Sequence, residues 1–166
     1  SEYAVRRAAG LADAWSMSPI ETRQEMAKSA DLYREALAGR DRSYEDVRKP
    51  LRREAYVAED DETAWEEVGP SLLYEYQDVY RDYDDIGHSF DADDDSEEAI
   101  EELRDHATDR FIIGGPETAI EELERYQEDV GIDEVVLRMH FPGLDPAKSR
   151  KSMRLVAEEV MPHFQE

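Results

Sequence analysis

The stretch Val130–Phe164, VGIDEVVLRMHFPGLDPAKSRKSMRLVAEEVMPHF, decides the fold class. Gly131 closes an apolar helical pattern and predicts a helix end. Residues 133–140 are a short run rich in Val, Leu and Met, which predicts a parallel strand covered on both faces. Asp145 and Pro146 predict the cap and first turn of a closing helix. The apolar stripe expected to be buried on that helix is Met153, Val156, Ala157 and Val160.

Two polar side chains stand near the end of this predicted strand. Side chains alternate along a strand, so Arg138 and His140 share one face. Burying them without partners would be costly. Either the strand end opens into a polar cavity, or Arg138 pairs with a carboxylate and His140 is structural. The cavity interpretation agrees with α/β barrels and open α/β sheets, in which ligands bind at the carboxyl ends of the strands. The residue pattern alone does not decide between the two interpretations.

Helices and strands alternate along the rest of the chain. Further strands are predicted at 12–17, 54–58 and 111–113. The residues predicted to cap helices are Ser1, Ser18 (in a capping box with Glu21), Asp60 or Asp61, and Ser96. Gly39 predicts a helix end, and Gly114-Gly115-Pro116 predicts a tight turn from strand to helix. Alternation of this kind indicates an α/β fold with parallel strands.

Charge is the strongest compositional feature. The 166 residues include 43 acidic and 20 basic side chains, a formal net charge of -23. Such a surface repels phosphate backbones, so neither nucleic acid nor a membrane is expected as a partner. Most basic residues are arginine, and an acidic excess with few lysines predicts a protein adapted to very high salt, where screening removes self-repulsion.

Composition also bounds the class and compartment. The length allows a single domain over residues 1–166. The absence of cysteine excludes disulfides and zinc–thiolate sites. No apolar run reaches membrane-spanning length and no signal peptide is visible, so a cytoplasmic protein is expected.

Residues 82–98, DYDDIGHSFDADDDSEE, are acidic and rich in turn formers. This composition predicts a solvated loop or insertion. The DADDD run lacks the ligand spacing and the glycine of a calcium loop, and His88 has no partner at ligand spacing. No metal site is therefore expected.

Four segments, in order, resemble the luciferase-like monooxygenase family of flavin- or deazaflavin-dependent (β/α)8 barrels. They are AVRRAAGLADAW (4–15), REAYVAEDDETAWEEV (53–68), FIIGGPETAIEELERYQ (111–127) and LRMHFPGLDPAKSRKSMRLVAEEVMPHF (137–164). The resemblance implies the C-terminal part of a TIM-type (β/α)8 barrel, rich in helix. A full barrel needs about 250 residues, so an expressed fragment or the product of a shortened gene is expected.

The resemblance also implies a cofactor. An oxidoreductase or monooxygenase that uses FMN or F420 and acts on a small-molecule substrate is expected. In that family a glycine-containing turn and the first amides of the following helix hold the cofactor phosphate. This chain lacks the turn, which leaves the backbone N–H groups of Ser1, Glu2 and Tyr3 as phosphate candidates, with the Glu2 charge opposing an anion, or Ser1 as a helix cap alone.

At the strand ends the candidates are Arg138 for cofactor binding, His140 as a catalytic residue that donates a proton or forms a hydrogen bond, and Trp15 as a wall of the substrate pocket. By residue type alone, Trp15 is also compatible with a core aromatic. In an enzyme these three should share a cavity.

The alternative is a non-catalytic acidic domain that has lost cofactor binding and associates with itself. In that case Arg138 and His140 should pair with carboxylates or face solvent. A partial barrel has two open strand edges, and such edges pair readily with another copy, so a homo-oligomer is expected in either case.

Overall fold

The computed structural model describes residues 1–79, 90–91 and 94–165, so most of the acidic segment 82–98 lies outside the described residues. Within them the helices are α1 (Glu2–Leu11), α2 (Arg23–Ala38), α3 (Asp61–Tyr74), α4 (Glu97–Ala107), α5 (Pro116–Val130) and α6 (Pro146–Leu155). The strands are β1 (Pro50–Val57), β2 (Ile112–Gly114) and β3 (Glu134–Arg138). Each strand is followed by helix: α3 and α4 lie between β1 and β2, α5 lies between β2 and β3, and α6 follows β3, which confirms the α/β class.

The three strands form one sheet in the order β2-β1-β3. β1 and β2 are parallel, with Ala55 opposite Ile112 and Val57 opposite Gly114. In a barrel built from successive β/α units each strand pairs with the next in sequence, whereas here β3 is the neighbour of β1.

The strand predicted at 12–17 was wrong in extent, because only an isolated parallel bridge between Ala14 and Arg48 forms there. Two main-chain hydrogen bonds hold it: Trp15 N–H donates to Arg48 O at 2.8 Å, and Arg48 N–H donates to Asp13 O at 3.4 Å. These two hydrogen bonds join the two segments at a single residue pair, so no continuous strand forms at 12–17.

The start of α2 was also predicted wrongly. The capping box is Thr22 with Glu25, not Ser18 with Glu21: Thr22 Oγ1 accepts from Glu25 N–H, and the Glu25 carboxylate accepts from Thr22 N–H at 2.8 Å. The segment 18–21 stays outside the helix, where two of its carbonyl groups accept hydrogen bonds from the Arg53 guanidinium. The predicted end at Gly39 is confirmed.

The end of α5 is confirmed at Gly131. Its φ of +77° lies in the left-handed region that glycine tolerates best. Its amide donates to the carbonyls of Tyr126 and Gln127, which completes the helix end. Pro116 opens the same helix, as the glycine-proline turn predicts.

The closing helix begins as predicted, since the Asp145 side chain accepts from Ala147 N–H. Its buried stripe was only partly right: Val156 and Val160 are buried, whereas Met153 and Ala157 are exposed. The other buried positions on this face are serines, which a search for apolar periodicity does not find. A π-helical segment, Val156–Val160, also breaks the 3.6-residue spacing.

The described residues group into two compact units. The first comprises Ser1–Arg53 with Leu123–Leu137, and the second Glu54–Glu122 with Arg138–Glu166. Large side chains at the core of the first unit are Met26, Tyr33, Leu37, Leu51 and Tyr126. Large side chains at the core of the second unit are Tyr56, Trp65, Leu72, Leu103 and Phe141. No helix of the described residues is long and apolar enough to cross a membrane.

The prediction that β3 is covered on both faces was wrong. The strand is shorter than residues 133–140, and its first three residues are exposed. Val135 and Val136 point to opposite faces and retain 38% and 51% of their accessible surface. β3 lies at the end of the strand order, and its first three residues stay accessible, so it is not the central strand of the sheet.

Candidate functional site

Arg138 is held by carboxylates in the second unit. Its guanidinium forms a two-point contact with Glu75, with Nη2 at 2.8 Å from Oε2, and Nη1 lies 3.8 Å from Glu54 Oε1. Both glutamates are buried, and the Phe141 ring lies 5.2 Å from the guanidinium carbon. A planar guanidinium matches a carboxylate at two points, so Arg138 is firmly oriented. Glu75 comes from the π-helical turn that follows α3, which no sequence pattern connected with Arg138.

His140 is exposed, two residues further along. Its Nδ1 lies 2.9 Å from Oγ of Ser149, a buried residue of α6. Ser149 is the one hydrogen-bond partner that the described residues give this ring. The contact orients the imidazole and leaves Nε2 as the second ring nitrogen able to exchange a proton.

Trp15 belongs to the first unit, where it packs on Tyr33 with ring centroids 4.4 Å apart. Tyr33 is fully buried, and burial raises the pKa of its phenol. Among the described residues the Tyr33 hydroxyl has no hydrogen-bond partner. Trp15 itself is half-buried, so it covers an aromatic core and keeps an accessible side.

Ser1, Glu2 and Tyr3 open α1. Ser1 occupies the N-cap position but makes no side-chain capping bond, so the capping role suggested by its type is not realised. The Glu2 carboxylate accepts from Arg6 Nε at 2.8 Å. All three residues are exposed.

The flank of α1 carries a basic cavity that the sequence reasoning missed. It has a volume of about 470 Å³ and is lined by Tyr3, Arg6, Arg7, Gly10, Leu11 and Arg40. Helical spacing places four of these residues on one face of α1: Tyr3, Arg7, Gly10 and Leu11. This spacing is the sequence signal from which the cavity could have been predicted. Arg40 comes from the connection after α2, which no local pattern predicts.

Two of these arginines are fixed in place. Arg40 Nη1 donates to the carbonyl of Ala36 at 2.7 Å. A Cβ on Gly10 would lie 3.0 Å from Arg40 Nε, so the absent side chain makes room for this guanidinium. Arg6 is tied to Glu2 and lies 3.7 Å from Glu35.

A second cavity, of about 800 Å³, has the opposite character. It adjoins the carboxyl ends of β1 and β2 and is lined by Glu59, Asp60, Asp61, Glu62, Gly115, Pro116, Glu117, Thr118, Leu155 and Glu159. Asp61 Oδ1 accepts from Gly115 N–H at 2.7 Å, and Asp60 caps α3. Six carboxylates repel an anion, so this cavity does not suit a phosphate-bearing cofactor. Across residues 1–79, 90–91 and 94–165, no cluster of His, Asp and Glu is arranged to hold a metal ion.

FMN and F420 both carry phosphate, so their site needs cationic or N–H donors. The α1 flank has three guanidinium groups beside an aromatic ring. Arg6 is paired with Glu2 and lies near Glu35, so Arg7 and Arg40 are the cations that suit an anion there. The carboxylate-lined cavity does not suit one. Arg138 is already engaged by Glu75, and its role as a cofactor ligand stays a prediction.

Several solved structures share this fold. A monooxygenase from Streptomyces bottropensis is 18% identical with a TM-score of 0.73, and the match covers 99% of this chain and 46% of that one. The coenzyme F420-dependent tetrahydromethanopterin reductase of Methanopyrus kandleri is 16% identical with a TM-score of 0.68, covering 99% and 49%. The oxygenating constituent of 3,6-diketocamphane monooxygenase from Pseudomonas putida, in complex with FMN, is 18% identical with a TM-score of 0.63, covering 95% and 44%.

These structures show that the chain has the fold of part of a luciferase-like barrel and spans about half their length. No curated protein sequence matches the chain. A family model described as luciferase-like monooxygenase matches residues 1–134, which is most of the chain. The C-terminal segment 137–164 lies beyond that match but within the structural ones. Sequence and fold thus agree, and the chain belongs to the luciferase-like monooxygenase family.

Proposed function

We propose that the chain forms part of an oxidoreductase that uses a flavin or deazaflavin, FMN or F420, to act on a small-molecule substrate. The family match over residues 1–134 is the observation that carries this proposal. The names of two structural relatives support the cofactor class, since one is F420-dependent and another contains FMN.

The α1 flank is where the cofactor phosphate would bind. Arg7 is exposed, while Arg6 and Arg40 are held by neighbouring groups, so little side-chain order would be lost on binding. Tyr3, one of the candidates from the sequence, lines this cavity. When bound, the cofactor supplies the hydride or oxygen chemistry, and the chain binds and orients it.

His140 is the residue proposed to move a proton. Ser149 orients the ring through Nδ1, so Nε2 can exchange a proton at an exposed position just beyond the last strand. Arg138, fixed by Glu75, keeps the strand end and the residues after it in place.

Titration of the chain with FMN and then F420 in concentrated KCl, followed by fluorescence, tests the proposal. Saturable binding of either compound is the expected result. If neither binds to a chain whose circular dichroism shows that it is folded, the proposal fails.

A non-catalytic, self-associating acidic domain is the second candidate. The contact between Arg138 and buried Glu75 favours it, because pairing with carboxylates is the arrangement expected of a domain without a site. His140→Ala separates the two candidates: in the enzyme it weakens cofactor binding, and in the second candidate it changes only the free energy of unfolding.

A further inference from the structure

The hydrogen bond between His140 and Ser149 can run in either of two directions. Nδ1 of the exposed imidazole lies 2.9 Å from Oγ of Ser149, a residue that retains only 4% of its accessible surface. A neutral imidazole carries its one N–H proton on either Nδ1 or Nε2, whereas a hydroxyl can both donate and accept. The direction of this bond therefore decides which ring nitrogen of His140 carries the proton.

The hydroxyl proton of Ser149 has few acceptors within reach. A serine inside a helix often donates to the carbonyl four residues earlier. In α6 that carbonyl belongs to Asp145 and accepts from the Ser149 amide at 3.2 Å. His140 Nδ1 is the only hydrogen-bond partner that residues 1–79, 90–91 and 94–165 give to Ser149 Oγ. A buried hydroxyl that donates to no acceptor is costly, so the Ser149 proton points to Nδ1.

We infer that Ser149 is a positioning residue that fixes His140 as the tautomer with its proton on Nε2. The Ser149 hydroxyl donates to the lone pair of Nδ1, so the ring proton lies on the opposite nitrogen. In the reverse arrangement Nδ1–H would donate to Oγ, and the Ser149 proton would be buried without an acceptor. His140 therefore presents an N–H group at Nε2 instead of a lone pair.

This tautomer limits what His140 can do in the reaction, and this consequence rests on the proposed function. Nε2–H can donate a hydrogen bond or a proton to a bound molecule, but it cannot abstract a proton, because a general base needs a lone pair. The group that it recognises is an oxygen acceptor, such as a carbonyl oxygen or an oxyanion that gains negative charge during the reaction. Ser149 acts only through His140.

Nuclear magnetic resonance of the isotope-labelled chain tests the assignment, because protonated and unprotonated ring nitrogens have well-separated chemical shifts. The spectra are recorded without cofactor at about pH 8.5, two units above the ordinary histidine pKa of about 6.5. His140→Gln identifies the His140 signals by their loss. We expect Nε2 of the unmodified chain to carry the proton and Nδ1 to be unprotonated.

Variants of the two buried serines of α6 separate this role from a structural one. Ser149→Ala removes the donor, so we expect the His140 nitrogen shifts to move toward the average of the two tautomers. Ser149→Thr keeps a hydroxyl and should restore the original shifts. Ser152→Ala is the matched control, because Ser152 Oγ accepts from Val57 N–H, and it should leave the His140 shifts unchanged.

Two results would overturn the inference. One is a His140 ring that carries its proton on Nδ1 in the unmodified chain. The other is a Ser149→Ala chain, folded by circular dichroism, whose His140 shifts equal those of the unmodified chain or change no more than those of Ser152→Ala. If neither FMN nor F420 binds in the separate titration, the proposed function fails, and the tautomer measured in the free chain still decides this inference.

Discussion

At the scale of single residues, Arg53 is the most unusual side chain of the first unit. It is fully buried, and its guanidinium donates to Tyr126 Oη and to the carbonyls of Pro19 and Glu21. No carboxylate of the described residues lies within ion-pair distance of it. The charge is therefore solvated by backbone carbonyls and a phenol, which makes the surrounding loop depend on it.

We expect Arg53→Ala to lower the free energy of unfolding by about 3–5 kcal/mol, because it leaves a cavity and several buried acceptors unpaired. The neighbouring Arg52 is exposed, and Arg52→Ala should stay within about 0.5 kcal/mol. Urea denaturation of both variants in KCl measures the difference. Equal effects would show that the guanidinium contacts contribute little.

Arg53 also explains an error in the predicted bounds of β1. The strand was predicted at 54–58, whereas β1 runs from Pro50 to Val57 and includes Arg53. A buried arginine looks like a surface residue in a hydrophobicity pattern. Only its partners, which come from segments far away in sequence, reveal that it is internal.

Asp133 gives the first unit a defined pH dependence. Burial raises the pKa of the Asp133 carboxyl. Hydrogen bonds from the Lys49 side chain and amide lower this pKa by more than burial raises it, so the pKa lies below its ordinary value. A lowered carboxyl pKa contributes stability above the unfolded value of about 3.9, and this contribution is lost as pH falls through the folded pKa.

We therefore expect Asp133→Asn to be less stable than the unmodified chain at neutral pH, with the difference shrinking as the pH falls below about 4. Urea midpoints measured across this range provide the check. A difference that is constant with pH would mean that the Lys49–Asp133 contact does not titrate with folding.

At the scale of elements, the turn from β2 to α5 was predicted well. Gly114-Gly115-Pro116 reads as a strand-to-helix turn, and the structure shows that role with an additional constraint. A Cβ on Gly114 would lie 2.4 Å from Asp61 Oδ1 and 2.8 Å from Thr118 Cγ2. The glycine is therefore required by close packing against Asp61, whose carboxylate also accepts from Gly115 N–H.

Gly114→Ala should destabilise the second unit by about 1–3 kcal/mol through overpacking. Gly39→Ala is the matched control, because its Cβ would have ordinary contacts of 3.7 Å and more and its φ is -66°. Thermal unfolding of both variants measures the contrast. Equal melting temperatures would contradict the packing argument.

Predictions of helix ends and turns were confirmed where adjacent residues determine them. Predictions of burial were wrong where contacts with distant segments determine it. Gly131 and Asp145 mark helix ends that depend on a few adjacent residues. The exposure of β3 depends on which strands flank it. The burial of Ser149 and Ser152 depends on partners in other segments: Ser149 contacts His140, and Ser152 Oγ accepts from Val57 N–H at 2.7 Å.

The same division applies to the candidate site. Tyr3 was a candidate because its backbone N–H opens a helix, and Arg138 because a charge stands out in an apolar strand; the role of each stays a prediction. The arginines on the α1 flank were missed because charged residues on an exposed helix are usually only solvated. Glu75 was missed because its contact with Arg138 spans 63 positions in sequence.

At the scale of the whole molecule, the net charge of -23 predicts that the stability of the fold depends on salt concentration. Screening shortens the reach of charge repulsion from about 10 Å at 0.1 M salt to about 3 Å at 1 M. We expect the urea midpoint to rise with KCl concentration, most steeply below about 1 M, because repulsion between carboxylates weakens. A midpoint that stays constant over this range would contradict an adaptation to high salt.

We propose that the flank of α1 binds the phosphate of the cofactor. Comparing FMN with riboflavin, which lacks the phosphate, tests this most directly when both are titrated into the unmodified chain, Arg7→Glu and the control Arg150→Glu. We expect FMN to bind at least about tenfold more tightly than riboflavin, a difference of about 1.4 kcal/mol. We also expect Arg7→Glu to abolish this preference and Arg150→Glu to preserve it. Equal affinity of the unmodified chain for both compounds, or an undiminished preference in Arg7→Glu, would contradict the proposal.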